Sequence, residues 1–144
     1  MKVAVVVVTH GQLATELLNS AEMIVGDLPH FAAVSIGWHE DVDQARDEIG
    51  RAIERVRGHV ETADAPSGVI VLTDMFGGTP SNLGVTFLEK DRVEVITGVN
   101  LAMLIKLARP SAKEMDLLTL AREMRDDGRN AIWVASDLIR GEKG

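Results

Sequence analysis

Two side chains far apart in the sequence could cooperate in phosphoryl chemistry. His10 follows the apolar run Val3–Val8, and Asp74 follows the apolar run Val69–Thr73. A neutral imidazole attacks phosphorus only through a nitrogen that carries no proton, and a carboxylate that accepts the other N–H fixes that tautomer. The carboxylate also stabilises the positive charge of the ring during transfer. We therefore expect Asp74 to orient His10 if the fold brings the two together.

A glycine-rich turn follows Asp74 and could hold the oxygens of a phosphoryl group. Gly77 and Gly78 let successive backbone N–H groups converge, and Thr79 adds a hydroxyl. Thr79 followed by Pro80 is also typical of a helix start with Thr79 as its cap, and a helix start favours negative charge. Because such a turn can stabilise the charge of the transferred group, the sequence predicts a site without metal or cofactor.

Apolar runs alternate with amphipathic segments along the whole chain. Strands are predicted at Val3–Val8, Phe31–Ile36, Val69–Thr73, Val93–Thr97 and Ala131–Ala135. Helices are predicted between them, and the last begins with a capping box of Ser111 and Glu114 and ends at Gly128. Parallel strands need crossover connections, so this alternation predicts an α/β domain with a mostly parallel sheet.

A parallel sheet would gather the candidate residues at one edge. The carboxyl ends of parallel strands lie together, and open α/β sheets bind their ligands there. The loops that should form the site are 9–11, 37–39, 74–79 and 98–100. His10 and Asp74 come within reach of each other there if the first and third strands are neighbours. His39 and Trp38 lie at the same predicted edge, and their roles stay open.

The composition is that of one folded domain over residues 1–144. Hydrophobic residues make up 46% of the chain and charged residues 26%, the net charge is -7, and cysteine is absent. Negative charge without a basic run argues against a nucleic-acid partner. The first apolar run is too short for a signal-peptide core or a membrane span, which predicts a cytoplasmic protein.

Other activities lack their sequence motifs. The chain has neither a G-x-x-x-x-G-K-[ST] loop nor a G-x-G-x-x-G after the first strand, which argues against a nucleotide-dependent kinase. H-E-x-x-H and G-x-S-x-G are also absent, so metal-dependent and serine-dependent hydrolysis lose their main support. Each candidate residue alone has an ordinary structural interpretation, and only their conjunction on one edge favours function.

The segments that carry these residues resemble one protein family. V-V-T-H-G-Q-L-A, T-D-M-F-G-G-T-P-S-N and V-I-T-G-V-N-L-A-M-L are similar to the enzyme IIA component of the mannose family of the bacterial phosphoenolpyruvate-dependent sugar phosphotransferase system. The resemblance covers essentially the whole chain and implies a flavodoxin-like open sheet. It also implies the residue roles: His10 as the phosphorylated histidine, Asp74 as the orienting carboxylate, and Gly77, Gly78 and Thr79 as the phosphate-facing turn.

The resemblance implies the partners as well. HPr would donate the phosphoryl group, a IIB component would accept it, and the membrane would be reached only through a permease complex. Family members commonly form homodimers that exchange an antiparallel last strand, here Ala131–Ala135. Many IIA domains continue into a IIB domain, whereas this sequence stops at Gly144, so we expect a separate acceptor protein. The loop Gly37–Glu40 departs from the proline- and glycine-rich turn often found there, which leaves the partner preference open.

Two other functions stay open on the sequence alone. One is a regulatory module whose phosphorylation state is read by another protein, without sugar transport. The other is a phosphocarrier for dihydroxyacetone kinase, although the turn D-M-F-G-G-T-P-S-N fits the mannose-type family better. A IIA component would handle only the phosphoryl group, so the sequence does not indicate which sugar is transported.

Overall fold

The computed structural model describes residues 2–62, 67–109 and 113–141. The strands are β1 (Lys2–His10), β2 (Phe31–Ile36), β3 (Ser67–Thr73) and β4 (Val93–Thr97). The helices are α1 (Leu13–Val25), α2 (Val42–Arg57), α3 (Thr79–Gly84), α4 (Leu101–Leu107), α5 (Leu117–Asn130) and α6 (Ala135–Ile139), with a 3₁₀ turn at Val85–Phe87. The first four predicted strands are confirmed, and β1 extends to include His10. No helix in the described ranges is long and apolar enough to cross a membrane.

The four strands form one parallel sheet in the order β2-β1-β3-β4. The chain moves outward from β1 to β2 and then crosses back to β3, so β1 has β2 and β3 as its neighbours. Val8 pairs with Thr73, and His10 pairs with Ile36. The predicted adjacency of the first and third strands is therefore confirmed. All four carboxyl ends lie at one edge, in the strand order of flavodoxin-like sheets.

Helices cover both faces of the sheet. Apolar residues of α1, α4 and α5 pack on one face against β1 side chains such as Val5 and Val7. Those of α2 and α3 pack on the other face against neighbours such as Val6 and Val8. Each of the residues from Val3 to Val8 is buried, which explains why this segment reads as a continuous apolar run. Burial on two sides fixes the strand that ends in His10.

Three helix details differ from the sequence prediction. Thr79 does not cap α3, because Gly78 precedes the first turn and Thr79 is already helical. The cap of α5 is Asp116, which accepts a hydrogen bond from Thr119 N–H at 2.7 Å, and the predicted cap Ser111 lies outside the described residues. Gly128 lies inside α5 rather than at its end. This helical position holds a glycine because Met103 leaves no room there for a side chain.

The predicted strand Ala131–Ala135 is wrong for the single chain. Residues 131–134 have no regular structure, and Ala135 begins α6. A strand needs a neighbour to satisfy its backbone groups, and this segment pairs with none of the described strands of its own chain. Its apolar side chains stay exposed, with Ile132 76% and Val134 65% accessible. The exchange of this strand with a second copy stays a prediction.

The two glycines inside long helices allow a paired test of the packing. A Cβ at Gly128 would lie 2.6 Å from Met103 Sδ, whereas one at Gly50 would lie 3.4 Å from Phe87 Cε1. We expect Gly128→Ala to lower the free energy of unfolding by about 1–3 kcal/mol through overpacking. Gly50→Ala should raise it by about 0.5–1 kcal/mol, because alanine favours the helix. Denaturant titrations measure both, and stabilisation by Gly128→Ala would contradict the packing described.

Candidate functional site

His10 is the last residue of β1, and its backbone is held on both sides. The hydroxyl of Thr9 is buried and accepts a hydrogen bond from Ala14 N–H at 2.7 Å, which ties the strand to the start of α1. Gly11 has a φ of +58° and donates its N–H to Ile36 O at 2.9 Å. Glycine adopts this left-handed conformation without steric cost. The imidazole therefore projects from a fixed backbone, with 52% of its side-chain surface accessible.

Asp74 lies directly against this imidazole, as the sequence predicts. Its Oδ2 is 2.7 Å from His10 Nδ1 and also accepts the backbone N–H of His10 at 3.1 Å. Its Oδ1 accepts Met75 N–H at 3.1 Å. The carboxylate is only 15% accessible, so these bonds form in a partly desolvated place where they are stronger than in bulk water. Both the ring and the carboxylate are thereby held in one orientation.

The charge of Asp74 fixes the tautomer of His10. Partial burial acts to raise the pKa of Asp74, but the hydrogen bonds from the His10 ring and backbone outweigh it and lower the pKa below the ordinary aspartate value. An ionised carboxylate only accepts hydrogen bonds, so the Nδ1 atom of a neutral His10 must carry the proton. Nε2 then has a free lone pair, as a nucleophile requires.

The glycine turn lies on the Nε2 side of the ring. Gly77 and Gly78 have φ values of +87° and +84°, which other residues rarely adopt. A Cβ at Gly78 would lie 3.1 Å from both Cε1 and Nε2 of His10. The turn thus approaches the imidazole so closely that glycine is required by both backbone and space. Thr79 follows as the first residue of α3.

One residue that shapes this turn was missed by the sequence analysis. Ser81 is 2% exposed, and its Oγ accepts a hydrogen bond from Gly77 N–H at 3.3 Å. The Gly77 N–H therefore points to the interior of the protein, whereas the prediction had it converge on a phosphate. The only sequence signal for Ser81 was its place two residues after Thr79, on a helix too short to show a clear buried face.

The remaining loops at this edge surround His10. Trp38 after β2 and Phe76 after β3 are 93% and 81% accessible. The loop after β4 donates two backbone N–H groups, from Gly98 and Val99, to Thr73 O at 2.9 and 3.0 Å, and so supports the end of β3 just before Asp74. The His39 ring packs edge-to-face on Trp38 with 6.5 Å between centroids.

Carboxylates outnumber cations at this edge. Glu40 and Asp41 join Asp74 in segments 9–13, 37–44, 74–82 and 97–101, which contain no lysine or arginine, whereas Asp43 is paired with Arg46 of the same helix at 3.2 Å. Across the described parts of the chain, no three His, Asp or Glu side chains cluster in a way that could hold a metal ion. In a neutral His10, this arrangement leaves one imidazole nitrogen unprotonated beside a glycine turn, on a side chain that is half accessible.

Comparisons with known proteins show the family of this chain. Residues 4–124 match the protein family described as "PTS system fructose IIA component". The chain is 34% identical over 136 residues to the PTS system mannose-specific EIIAB component of Escherichia coli K12, which covers 92% of this chain and 40% of that relative. It is 29% identical over 105 residues to the PTS system sorbose-specific EIIA component of Lacticaseibacillus casei, covering 72% of this chain and 70% of the other.

Solved structures show the same fold. The mannose/sorbose specific IIA subunit from Enterococcus faecalis superposes with a TM-score of 0.70 at 27% identity, over 93% of this chain and 95% of that one. The PTS IIA protein associated with the fucose utilization operon of Streptococcus pneumoniae gives a TM-score of 0.79 at 23% identity, over 96% and 97% of the two chains. The latter likeness concerns the fold alone.

The depressed pKa of Asp74 predicts a pH dependence of stability. Below the ordinary aspartate pKa of about 3.9 the unfolded state binds more protons than the folded state, so stability contributed by the ionised Asp74 is lost as the pH falls through its lower folded pKa. We expect Asp74→Asn to lower the free energy of unfolding by about 1–2 kcal/mol at pH 5. The difference from wild type should shrink towards pH 2.

Urea titrations between pH 5 and pH 2 measure this difference. Asp27→Asn, which changes an exposed carboxylate in the turn after α1, serves as the control for the change of charge. The claim that Asp74 is ionised in the folded protein would be refuted if the difference in free energy of unfolding between wild type and Asp74→Asn were independent of pH, or if it grew as the pH fell.

Proposed function

This chain belongs to the family of PTS IIA components of the sugar phosphotransferase system, and we propose that it is a phosphocarrier in which His10 accepts a phosphoryl group from HPr and passes it to a IIB protein. We further propose that residues 1–144 act as one IIA domain. The observation that carries the proposal is the 2.7 Å hydrogen bond between His10 Nδ1 and Asp74. It leaves Nε2 unprotonated and accessible beside the glycine turn.

The transfer step needs no proton movement at Nε2. The Nε2 lone pair forms a bond to phosphorus while the bond from phosphorus to the histidine nitrogen of the donor breaks, and that electron pair stays on the donor. His10 becomes positively charged at this moment, and the ionised Asp74 stabilises the charge without taking a proton. The reverse sequence of bonds delivers the group to the acceptor.

The turn beside Nε2 supplies the place for the phosphoryl oxygens. Gly78 lies beside the ring, since a Cβ there would lie 3.1 Å from His10 Nε2, and Thr79 adds a hydroxyl that is not used as a helix cap. Phosphoryl transfer through a loose transition state depends mainly on positioning and on stabilisation of spread charge. Fixed dipoles at a glycine turn can supply both without reorganisation.

Partner proteins would reach His10 over an apolar and acidic surface. Trp38 follows β2 and Phe76 follows β3, the two strands that neighbour β1, and both side chains are exposed. Large exposed aromatic side chains are the residues that most often anchor protein interfaces. Because Glu40 and Asp41 share this edge, we expect association with HPr to weaken as salt is added.

The direct test is to phosphorylate the protein with phosphoenolpyruvate, enzyme I and HPr, and to map the acid-labile phosphate by mass spectrometry. Wild type should carry it on His10, and His10→Gln should stay unlabelled because no other histidine has the same tautomer control. His59→Gln, which changes an exposed histidine after α2, is the matched control and should be labelled like wild type. A label that persists in His10→Gln would disprove the assignment.

We also propose that the protein forms a homodimer by exchange of residues 131–135. β4 has a strand neighbour only on its β3 side within the described sheet. A groove of about 400 Å³ runs beside it, lined by β4, α5 and Ile132. The exposed Ile132, Trp133 and Val134 supply apolar surface that a second copy could cover. Pairing with β4 of the partner would satisfy the backbone of this segment.

Sedimentation tests the exchange. Wild type should sediment as a dimer at micromolar concentration, and the double variant Ile132→Glu with Trp133→Glu as a monomer, because two charges cannot be buried at the new interface. Met23→Glu, at an apolar position of α1 that is 87% exposed, is the control and should remain dimeric. A wild-type monomer, or a double variant that stays dimeric, would rule the exchange out.

A further inference from the structure

A buried hydroxyl lies directly behind the glycine turn. Thr9, Thr73 and Ser81 are the buried polar side chains in the described parts of the chain. Thr9 has a structural task, because its hydroxyl accepts the Ala14 N–H and ties β1 to α1. Ser81 lies among the apolar residues by which α3 packs on the sheet, and a hydroxyl in such a place costs free energy unless it is hydrogen-bonded. Ser81 Oγ accepts a hydrogen bond from Gly77 N–H at 3.3 Å.

The hydrogen bond from Gly77 N–H to Ser81 restrains the part of the site whose backbone has the most conformational freedom. Gly77 and Gly78 follow each other with φ values of +87° and +84°, and glycine loses more conformational freedom on folding than any other residue. The two flanks of the pair are fixed, by the Asp74 hydrogen bonds on one side and by α3 on the other. Between them, the bond from Gly77 N–H to Ser81 holds the turn.

This turn also ends beside the His10 ring, at Gly78. A Cβ at Gly78 would lie only 3.1 Å from His10 Nε2, so a small displacement of the turn changes the space in front of that nitrogen. Asp74 orients the ring through Nδ1, and Ser81 fixes the opposite wall through Gly77. Asp74 therefore orients the ring at Nδ1, whereas Ser81 holds the turn that lies near Nε2.

We propose that Ser81 is a positioning residue for phosphoryl transfer: its buried hydroxyl holds Gly77 N–H and thereby keeps the Gly77–Gly78 turn in place beside His10 Nε2. The proposal rests on the proposed function of His10. Ser81 touches neither the ring nor the phosphate, and it acts only through the backbone of the turn. It also commits Gly77 N–H to the protein interior, so the phosphoryl oxygens must be received by Gly78, Thr79 and their surroundings.

The kinetic test uses Ser81→Ala, which removes the acceptor without adding atoms. We expect the maximal rate of transfer from phosphorylated HPr to fall by about tenfold, the order of effect that a small misplacement of reacting groups produces. The HPr concentration at half-maximal rate should not change, because Trp38 and Phe76 are untouched. Ser81→Thr keeps a hydroxyl and should restore most of the rate.

The matched control is Ser35→Ala. Ser35 also has a partly buried hydroxyl that accepts a backbone N–H, from Thr15 at 3.3 Å, and it bonds the Thr15 hydroxyl at 2.8 Å. It lies in β2, and its bonds lead to α1 rather than to the glycine turn. It should lose similar stability in denaturant and keep the wild-type transfer rate. Equal rates for wild type and Ser81→Ala, or an equal loss of rate in Ser35→Ala, would overturn the positioning role.

A readout without activity separates this proposal from the function it rests on. In wild type the Gly77 amide should exchange its hydrogen slowly, and in Ser81→Ala about tenfold faster, which corresponds to a loss of about 1.4 kcal/mol of protection. In the same variant the His10 Cε1–H resonance should shift. If Gly77 exchanges in wild type as fast as an unstructured peptide, the proposal fails even when His10 is labelled. If His10 is not labelled, the proposed function itself fails.

Discussion

The hydrogen bond between His10 Nδ1 and Asp74 Oδ2, 2.7 Å long, is the interaction on which the rest of the site depends. It joins residues that are 64 positions apart in the chain, and it decides which ring nitrogen carries the proton. Without it, Nδ1 and Nε2 would share the proton according to their solvent contacts, and the ring would be free to rotate about its side-chain bonds. The position of the ring proton is therefore set by Asp74, a residue that follows a different strand.

The sheet is what makes this bond possible. A parallel order with β1 beside β3 places the ends of both strands at one edge, and burial of β1 on both faces keeps that end from moving. A hydrogen bond then holds the residue on each side of His10. Thr9 Oγ1 accepts Ala14 N–H, and Gly11 N–H donates to Ile36 O. The opposite wall is a glycine pair, because both positions have φ values that other residues rarely adopt. At Gly78 a side chain would also crowd the ring.

The sequence predicted those features that depend on local pattern and failed where packing or a partner decides. The ends of β1 and β3 follow from two apolar runs, so His10 and Asp74 could be paired once neighbouring strands were assumed. Ser81 could not be found, because its burial depends on how α3 seats on the sheet. Gly128 looked like a helix end, but it is glycine because Met103 fills the space. The strand predicted at Ala131–Ala135 lacks a partner in a single chain, so its pattern alone could not settle its structure.

The measurement that tests the central claim most directly is the identity of the phosphorylated ring nitrogen. Protein labelled with ¹⁵N in histidine is phosphorylated through HPr, and the phosphorus–nitrogen coupling and nitrogen chemical shifts of His10 are recorded. The geometry of the Asp74 bond predicts the phosphate on Nε2 and a proton on Nδ1. A phosphate on Nδ1, the nitrogen that faces Asp74, would contradict the account, because that atom could not then donate to the carboxylate.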